Sequence, residues 1–374
     1  MAGTAQDIIV VGGGIVGCLT GYLLAKQGAK VTILERDSVA SHASGFAFGE
    51  LGALEGAGIP DPLLEFSLWC SRRHQPLTEE LKEISGNDSQ FSICSRLTLA
   101  FDQQAVDQAK EGLQWKAKVA EFHTQWLDTA QVMEVEPRVN PECLGGVLVE
   151  GAGTVEPYRY TLAAAQAGEK LGVEMALRRV TGLLTQGGRC CGVSFEGGQM
   201  EAGAVVLAMG PWTEEASSWC QVPIPVVPLK GQILRMQMSG EPLRTSLHWG
   251  GSYAASKPDG LVWAGTTEEH AGFDEEPTTW GRDKVMGDLL RMAPSLSSAE
   301  LVHQTACLRP LSQDGLPIVG KVPGWENLFL GTGAGRKGIL WSTGMSQGLA
   351  DLILYGTSQV PDLSFLDPAR FQQG

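Results

Sequence analysis

The sequence has no Cys-x-x-Cys motif among its eight cysteines, and it contains only six histidines. Neither residue type shows the paired spacing that builds a zinc site, so no metal centre is expected. The cysteines show no disulfide pattern, and no secretory signal precedes them. They therefore predict reduced, mostly buried thiols in a cytoplasmic protein.

Positive charge is also scarce. The chain has 28 lysines and arginines against 42 acidic residues, which gives a net charge of −14, and no basic patch stands out along it. A surface of this sign repels phosphate backbones and anionic lipid headgroups. Partners made of nucleic acid and roles at a membrane surface are therefore not expected.

A long apolar segment is present only near the start, where residues 8–25 carry no charge. Glycines interrupt this segment, Asp7 precedes it, and it lacks the basic flank of a signal peptide. We therefore predict no integral membrane segment. The 374 residues are 43% hydrophobic, which excludes a disordered chain and predicts two or three domains.

A glycine-rich turn separates the first expected strand, residues 7–11, from the first expected helix, residues 15–27. Residues 12–17 read Gly-Gly-Gly-Ile-Val-Gly. In such a motif the first glycine permits the turn, the second admits a pyrophosphate, and the third allows close helix packing. Glu35 ends the next strand, where a carboxylate accepts hydrogen bonds from an adenosine ribose. The unit predicts dinucleotide binding and suits both NAD and FAD.

A second glycine-rich turn lies near the end of the chain. Residues 331–338 read Gly-Thr-Gly-Ala-Gly-Arg-Lys-Gly and open another helix. This turn is too far from the first to touch the same phosphates. Its N–H dipoles can face the pyrimidine end of an isoalloxazine, whose reduced form is negative. The second turn therefore favours FAD over NAD.

The motifs together resemble the FAD-dependent amino-acid and amine oxidoreductases of the D-amino acid oxidase superfamily. In order and spacing they are most similar to glycine oxidase and its relatives. The resemblance extends from about residue 7 to about residue 355. It rests on the first glycine turn with Glu35-Arg36, Gly153-Thr154-Val155-Glu156-Pro157, residues 205–212, Pro228-Leu229-Lys230-Gly231-Gln232, Leu308-Arg309-Pro310, Asp314-Gly315-Leu316-Pro317, and the last glycine turn.

The resemblance implies an α/β fold with a Rossmann-like FAD domain of the glutathione-reductase type. A smaller α+β substrate domain with a mixed or antiparallel sheet completes it. We predict that the FAD domain comprises residues 1–80, 150–220 and 306–374. The substrate domain then comprises residues 81–149 and 221–305.

The resemblance also implies roles for individual residues. Arg309 matches the arginine that binds the substrate carboxylate, a task that suits a planar, permanently charged fork. Tyr253 matches a tyrosine that lines the pocket, and Arg336 matches an arginine near the flavin and the substrate. The implied cofactor-binding residues are Gly12, Gly14, Ile15, Val16, Gly17, Glu35, Arg36, Ser44, Gly49, Val180, Gly210, Trp212, Gly333, Gly335, Arg336, Lys337, Gly338 and Ile339.

Two acidic residues depart from the family pattern. Glu50 and Glu268 stand where glycine oxidases carry apolar residues. If both face the pocket, an unpaired buried carboxylate is costly, and a substrate with a basic or amide group is favoured over glycine. Simple solvation of Glu268 is the alternative. Cys307 has the spacing of a flavin-linking cysteine in some sarcosine oxidases, although we expect a buried thiol there.

The implied reaction is oxidation of the C–N bond of an amino acid or secondary amine next to its carboxylate. Hydride passes to FAD, and oxygen or another acceptor then takes the electrons. A flavin dehydrogenase that passes electrons to a quinone or a partner subunit would share every motif, so it stays open. Assembly of identical copies also stays open.

Overall fold

The computed structural model describes residues 7–372, so both ends of the predicted FAD domain, 1–6 and 373–374, lie outside the described residues. The strands are β1 (Asp7–Val11), β2 (Lys30–Glu35), β3 (Glu50–Leu51), β4 (Ser92–Ala100), β5 (His123–Leu127), β6 (Gly145–Thr154), β7 (Glu174–Leu177), β8 (Val180–Gln186), β9 (Arg189–Phe195), β10 (Gly198–Glu201), β11 (Ala204–Leu207), β12 (Val226–Gln237), β13 (Ser246–Trp249), β14 (Ser252–Ser256), β15 (Val262–Gly265), β16 (Glu300–Ser312), β17 (Ile318–Lys321) and β18 (Leu328–Thr332). The α-helices are α1 (Ile15–Lys26), α2 (Ala43–Phe46), α3 (Leu64–Ser85), α4 (Gln103–Lys116), α5 (Thr129–Val135), α6 (Pro157–Lys170), α7 (Ser217–Cys220), α8 (Thr279–Met292) and α9 (Gly338–Tyr355).

The chain divides into two compact units. The first contains the described residues up to Phe91, Val155–Leu229, and the described residues from Leu308 onward. The second contains Ser92–Thr154 and Lys230–Cys307. The boundary drawn from the sequence after residue 80 would cut helix α3, which belongs to the first unit as a whole.

The first unit is built around a six-stranded sheet in the order β17-β18-β11-β1-β2-β7. The strands from β18 to β7 are parallel, and only β17 is antiparallel to its neighbour. Ile8 and Val10 of β1 pack into one apolar cluster, and Ile9 and Val11 pack into another. Burial on both faces explains why β1 is a continuous apolar run. This is the Rossmann-like α/β layer that the sequence predicts.

The second unit contains a mixed sheet in the order β16-β12-β15-β14-β13-β4-β6, with β5 also paired to β6. Strands β13 and β4 are parallel, whereas β12, β15, β14 and β13 pair in antiparallel fashion. One face carries the apolar core, in which Leu97 and Leu234 pack with Val132 of α5 and Leu289 of α8. Because side chains alternate along a strand, the remaining residues occupy the opposite face.

The described residues 7–372 contain no group of three or more side chains suited to a metal ion. None of the cysteines takes part in a disulfide. Over the same residues, every helix is too short or too polar to cross a lipid bilayer.

A histidine lies in the core of the first unit. His74 of α3 is fully buried, and its Nε2 lies 2.9 Å from the carbonyl oxygen of Leu340 in the first turn of α9. The carbonyl is an acceptor, so Nε2 donates this hydrogen bond. Nδ1 has no hydrogen-bond partner among the residues that the structure describes. Burial lowers the pKa of His74 from 6.5 to about 4.

This shift predicts a specific loss of stability in acid. The unfolded chain takes up the proton first, so His74 destabilises the fold as the pH falls from 6.5 towards 4. Between pH 7 and pH 5 the free energy of unfolding should fall by about 2 kcal/mol on account of His74. Urea unfolding of the wild type and of His74→Gln at both pH values measures this. An equal pH dependence in the two proteins would contradict the prediction, and His303→Gln at an exposed position is the control.

Candidate functional site

The predicted cofactor residues of the first unit converge on one edge of its sheet. Gly12 follows β1, Glu35 ends β2, Gly210 comes shortly after β11, and Gly333 directly follows β18. These four strands are parallel, so their carboxyl ends lie together. Ligands of open α/β sheets bind at this edge.

The first glycine turn holds the start of helix α1 close to the sheet. Gly12 has a φ of +115°, and a Cβ atom there would lie 2.2 Å from the carbonyl oxygen of Ala208. Glycine is therefore required at this position. Helix α1 has neither a side-chain cap nor an acidic residue in its first turn. The Ile15 N–H donates to the Ser44 hydroxyl over 3.0 Å. The helix terminus and Ser44 together suit an anionic phosphate group.

Glu35 is anchored to the same turn. One carboxylate oxygen accepts the Gly13 N–H at 2.6 Å, and the other accepts the Asp37 N–H at 2.8 Å. Two backbone hydrogen bonds fix the plane of the carboxylate beside the turn. Each oxygen has a further lone pair, with which it can accept a ribose hydroxyl.

Four side chains form a cluster beside Glu35 that the sequence reasoning found only in part. The guanidinium of Arg36 lies over the Trp212 ring, 3.8 Å from its centroid, and the His42 ring is 4.6 Å from the same ring. Asp37 binds His42 at 2.9 Å and Arg36 at 2.8 Å. These bonds, the one to His42 first, lower the pKa of Asp37. Asp37 and His42 were missed because the contact with Trp212 leaves no local sequence pattern.

The last glycine turn is tied to two distant segments of the first unit. Ala334 forms an antiparallel bridge with Leu311 of β16. The Lys337 ammonium donates to the carbonyl oxygen of Gly52 at 2.8 Å. Helix α9 follows this turn, and no side chain caps its start. The first N–H groups of α9 are therefore suited to negative charge.

These ties bring candidate substrate residues to the last glycine turn. Arg309 is half-buried on β16, two residues before Leu311 of the bridge. Glu50 is half-buried in β3, close along the chain to Gly52. Arg336 lies in the turn itself and is exposed. Cys307 is buried on β16, as expected from the sequence.

Several predicted cofactor residues can contribute only main-chain atoms. Val180 begins β8 with its side chain in the core, and Ile15 and Ile339 are buried in the other cluster of the first unit. Val16 packs against that cluster. Gly49 has a φ of +83°, and its carbonyl oxygen accepts a backbone hydrogen bond at 2.9 Å.

Tyr253 lies in the second unit, on β14. Gly265 of β15 is its cross-strand partner, and a Cβ atom at Gly265 would lie 2.6 Å from the phenol. Because Gly265 has no side chain, the Tyr253 ring can pack directly over it on the sheet. His248 of β13 is the partner on the other side, with the ring centroids 6.2 Å apart.

Glu268 does not meet the premise of a buried carboxylate. It is exposed, whereas its neighbour Glu269 is half-buried. The Gln232 amide donates to Glu269 at 2.8 Å, and the Thr267 hydroxyl also donates to it. A preference for basic substrates cannot rest on burial of Glu268.

Comparison with known proteins agrees with this geometry. The model of the DAO family, which is described as "FAD dependent oxidoreductase", matches residues 7–352 of this chain. The chain is 29% identical to the glycine oxidase of Pseudomonas aeruginosa over 93% of this chain and 95% of that protein. It is 27% identical to the glycine oxidase of Pseudomonas putida over 98% of both chains.

A solved structure shows the same fold. The glycine oxidase from Geobacillus kaustophilus superposes with a TM-score of 0.93 at 27% identity, over 98% of this chain and 99% of that one. The predicted α/β architecture with a second, mixed-sheet unit is thereby confirmed. The protein belongs to the DAO family of FAD dependent oxidoreductases.

Proposed function

We propose that this chain oxidises the C–N bond next to the carboxylate of an amino acid or a secondary amine to an imine, which water hydrolyses to a 2-oxo acid and ammonia or a primary amine. The observation that carries the proposal is the bridge between Leu311 and Ala334. It ties the strand of Arg309 to the last glycine turn. A cation for the carboxylate and a set of N–H dipoles thus lie in one part of the first unit.

The residues present fit FAD. In the proposed arrangement the first turn of α1 and Ser44 hold the pyrophosphate, and Glu35 holds the adenosine ribose. The main chain of residues 333–339 faces the flavin ring, and its dipoles stabilise negative charge there. Bound FAD supplies the hydride acceptor. The first unit is the proposed FAD domain, and the second is the proposed substrate domain.

Arg309 is the proposed carboxylate anchor. Its guanidinium has two parallel N–H donors that match the two oxygens of a carboxylate. A substrate held at that end presents its Cα–H in one orientation, and this positioning is the main contribution of the protein to the rate. Tyr253 is the proposed wall of the pocket. Arg336 is the second proposed cation, and Glu50 and Glu268 are proposed to lie near the substrate.

Oxygen or another acceptor is the proposed destination of the electrons, and the cytoplasm is the proposed location. The eight cysteines support the location, because none of them forms a disulfide. Self-association remains a proposal to be measured by light scattering.

Anaerobic mixing of the holoenzyme with a panel of amines tests the proposed function. Glycine, sarcosine, and both enantiomers of common amino acids are compared with amines that lack the carboxylate, such as methylamine. We expect at least one amino acid to bleach the flavin absorbance, and its decarboxylated counterpart to leave it unchanged. Equal bleaching by both would contradict the proposal. Admitting oxygen and assaying peroxide against dye reduction separates an oxidase from a dehydrogenase.

A further inference from the structure

Helix α3 lies so close to the first half of helix α9 that no side chain fits between them at Gly344. A Cβ atom at Gly344 of α9 would lie 2.5 Å from the Cys70 sulfur and 2.6 Å from the Phe66 ring of α3. Both helices belong to the first unit. Helix α9 directly follows the last glycine turn. Contacts from α3 therefore act next to the main chain that is proposed to face the flavin.

Polar side chains on one face of α3 bind the first turn of α9. Ser67, Cys70 and His74 are spaced three and four residues apart, which places them on the same face of the helix, and all three are buried. The Ser67 hydroxyl accepts the indole N–H of Trp341 at 3.3 Å. His74 donates to the carbonyl oxygen of Leu340, and the Cys70 thiol lies 4.0 Å from that of Trp341. Directional bonds of this kind fix the position of the turn more narrowly than apolar packing does.

Ser67 makes a second hydrogen bond that leads back to the last glycine turn. Its hydroxyl donates to the carbonyl oxygen of Ala53 at 2.9 Å. The preceding carbonyl, that of Gly52, accepts the Lys337 ammonium at 2.8 Å. Lys337 and Trp341 are about one helical turn apart. A closed ring of contacts thus runs from Lys337 through Gly52, Ala53 and Ser67 to Trp341, and back along α9.

Burial makes this ring costly to break. Ser67 and Trp341 are 0% and 1% exposed, and Ala53 is also buried. A hydroxyl has one donor and two acceptor sites, and Ser67 uses its donor for Ala53 and an acceptor site for Trp341. Loss of the hydroxyl would deprive a buried indole N–H and a buried carbonyl of these bonds. Both groups would recover partners only through a shift of α9 or of the segment that carries Ala53.

We propose that Ser67 is a positioning residue, which holds the first turn of α9 in place beside the flavin and thereby raises the reduction potential of the flavin. This role rests on the proposed function, in which the main chain of residues 333–339 faces the flavin ring. Reduction adds negative charge to the ring, and the uncapped N–H dipoles of α9 stabilise that charge best when they are held still. Ser67 acts through Trp341 and Ala53 rather than by contact with FAD.

The reduction potential of the holoenzyme tests this role without any substrate. Each protein is reduced stepwise with dithionite in the presence of a dye of known potential, and the absorbance of flavin and dye gives the equilibrium. Ser67→Ala should lower the equilibrium constant for two-electron reduction by at least about tenfold, which is a shift of about 30 mV to more negative potential. Ser67→Thr keeps the hydroxyl and should stay within about twofold of the wild type. Flavin content should be unchanged in both variants.

Thr78→Ala is the matched control on the same helix. Thr78 is also buried, but its hydroxyl donates to the Gln75 carbonyl oxygen within α3, at 2.8 Å. The control therefore loses a buried hydroxyl without losing a bond to α9. Its unfolding temperature should fall while its reduction potential stays at the wild-type value. Equal shifts of potential in Ser67→Ala and Thr78→Ala, or no shift in either, would show that Ser67 is purely structural and overturn the proposal.

Trp341→Phe tests the same ring from the side of α9. The change removes the indole N–H and keeps an aromatic ring, so the potential should move in the same direction as in Ser67→Ala. Because both changes break one hydrogen bond, the double variant should shift no further than the larger single variant. Additive shifts would contradict the ring. If Ser67→Ala does not fold, the comparison of Trp341→Phe with Thr78→Ala decides the question.

These measurements separate failure of this proposal from failure of the proposed function. Dye and flavin exchange electrons whether or not the protein oxidises an amine. If the potential shifts as expected but no amino acid reduces the flavin, the role of Ser67 stands and the proposed function is wrong. If amino acids reduce the flavin but Ser67→Ala keeps the wild-type potential, the role of Ser67 is wrong and amine oxidation stands.

Discussion

Replacing Gly14 with valine is expected to abolish retention of FAD while the protein stays folded. Gly14 caps helix α1 with φ −78°, a conformation that valine can adopt. A Cβ atom there would meet only the Ser44 hydroxyl, at 3.1 Å, so the surrounding chain needs little adjustment. The branched side chain would, however, fill the space that a pyrophosphate needs at the helix terminus. The ratio of flavin to protein absorbance after purification measures the loss.

The matched control is Gly287→Val on helix α8, where a Cβ atom meets nothing within 4 Å. Circular dichroism of both variants should match the wild type, and only Gly14→Val should be colourless. Normal flavin content in Gly14→Val would refute the assignment of this turn to the pyrophosphate.

Replacing Arg309 with lysine is expected to lower kcat/KM by at least about 100-fold, which corresponds to about 2.7 kcal/mol of lost transition-state stabilisation. An ammonium group keeps the charge but cannot make the two parallel hydrogen bonds of a guanidinium. Arg309 is not among the residues proposed to bind FAD, so flavin content should be unchanged. Steady-state kinetics with the best amino acid substrate measures the effect.

Arg189→Lys, at an exposed residue paired with Glu326, serves as the control for the same chemical change. Its kinetics should equal those of the wild type. If Arg309→Lys loses less than tenfold, the carboxylate anchor lies elsewhere. Arg336, in the last glycine turn, would then be the next candidate.

The glycine turns were predictable because their chemistry is local. Gly12 and Gly14 lie between a strand and a helix, Gly17 lies in the first turn of that helix, and Glu35 ends the next strand, as the sequence indicates. The segment 41–58 contains the short helix α2, which carries Ser44, and the short strand β3. The sequence did not predict this helix, because four residues are too few to show a helical periodicity of apolar positions. A hydrogen bond from the Ile15 N–H of α1 to the Ser44 hydroxyl holds α2 against the start of α1.

Glu268 and Glu269, by contrast, differ in a way that the sequence could not predict. Glu268 and Glu269 are adjacent and chemically identical, so no pattern in the sequence distinguishes them. Gln232 and Thr278 of other elements make the difference, since Gln232 donates to Glu269 and is itself held by the Thr278 hydroxyl at 2.9 Å. Contacts of this kind depend on how strands and loops are arranged in space.

The sequence by itself determined the family, the cofactor and the two glycine turns with the strands and helices beside them, because these depend on glycine positions, apolar periodicity and charge along the chain. The tertiary structure alone decided which distant residues meet. It joined Leu311 to Ala334, brought Trp212 against Arg36 and His42, and placed Tyr253 between His248 and Gly265. The physical reason is that strand order and register are set by burial summed over the whole sheet, which no short segment of sequence encodes.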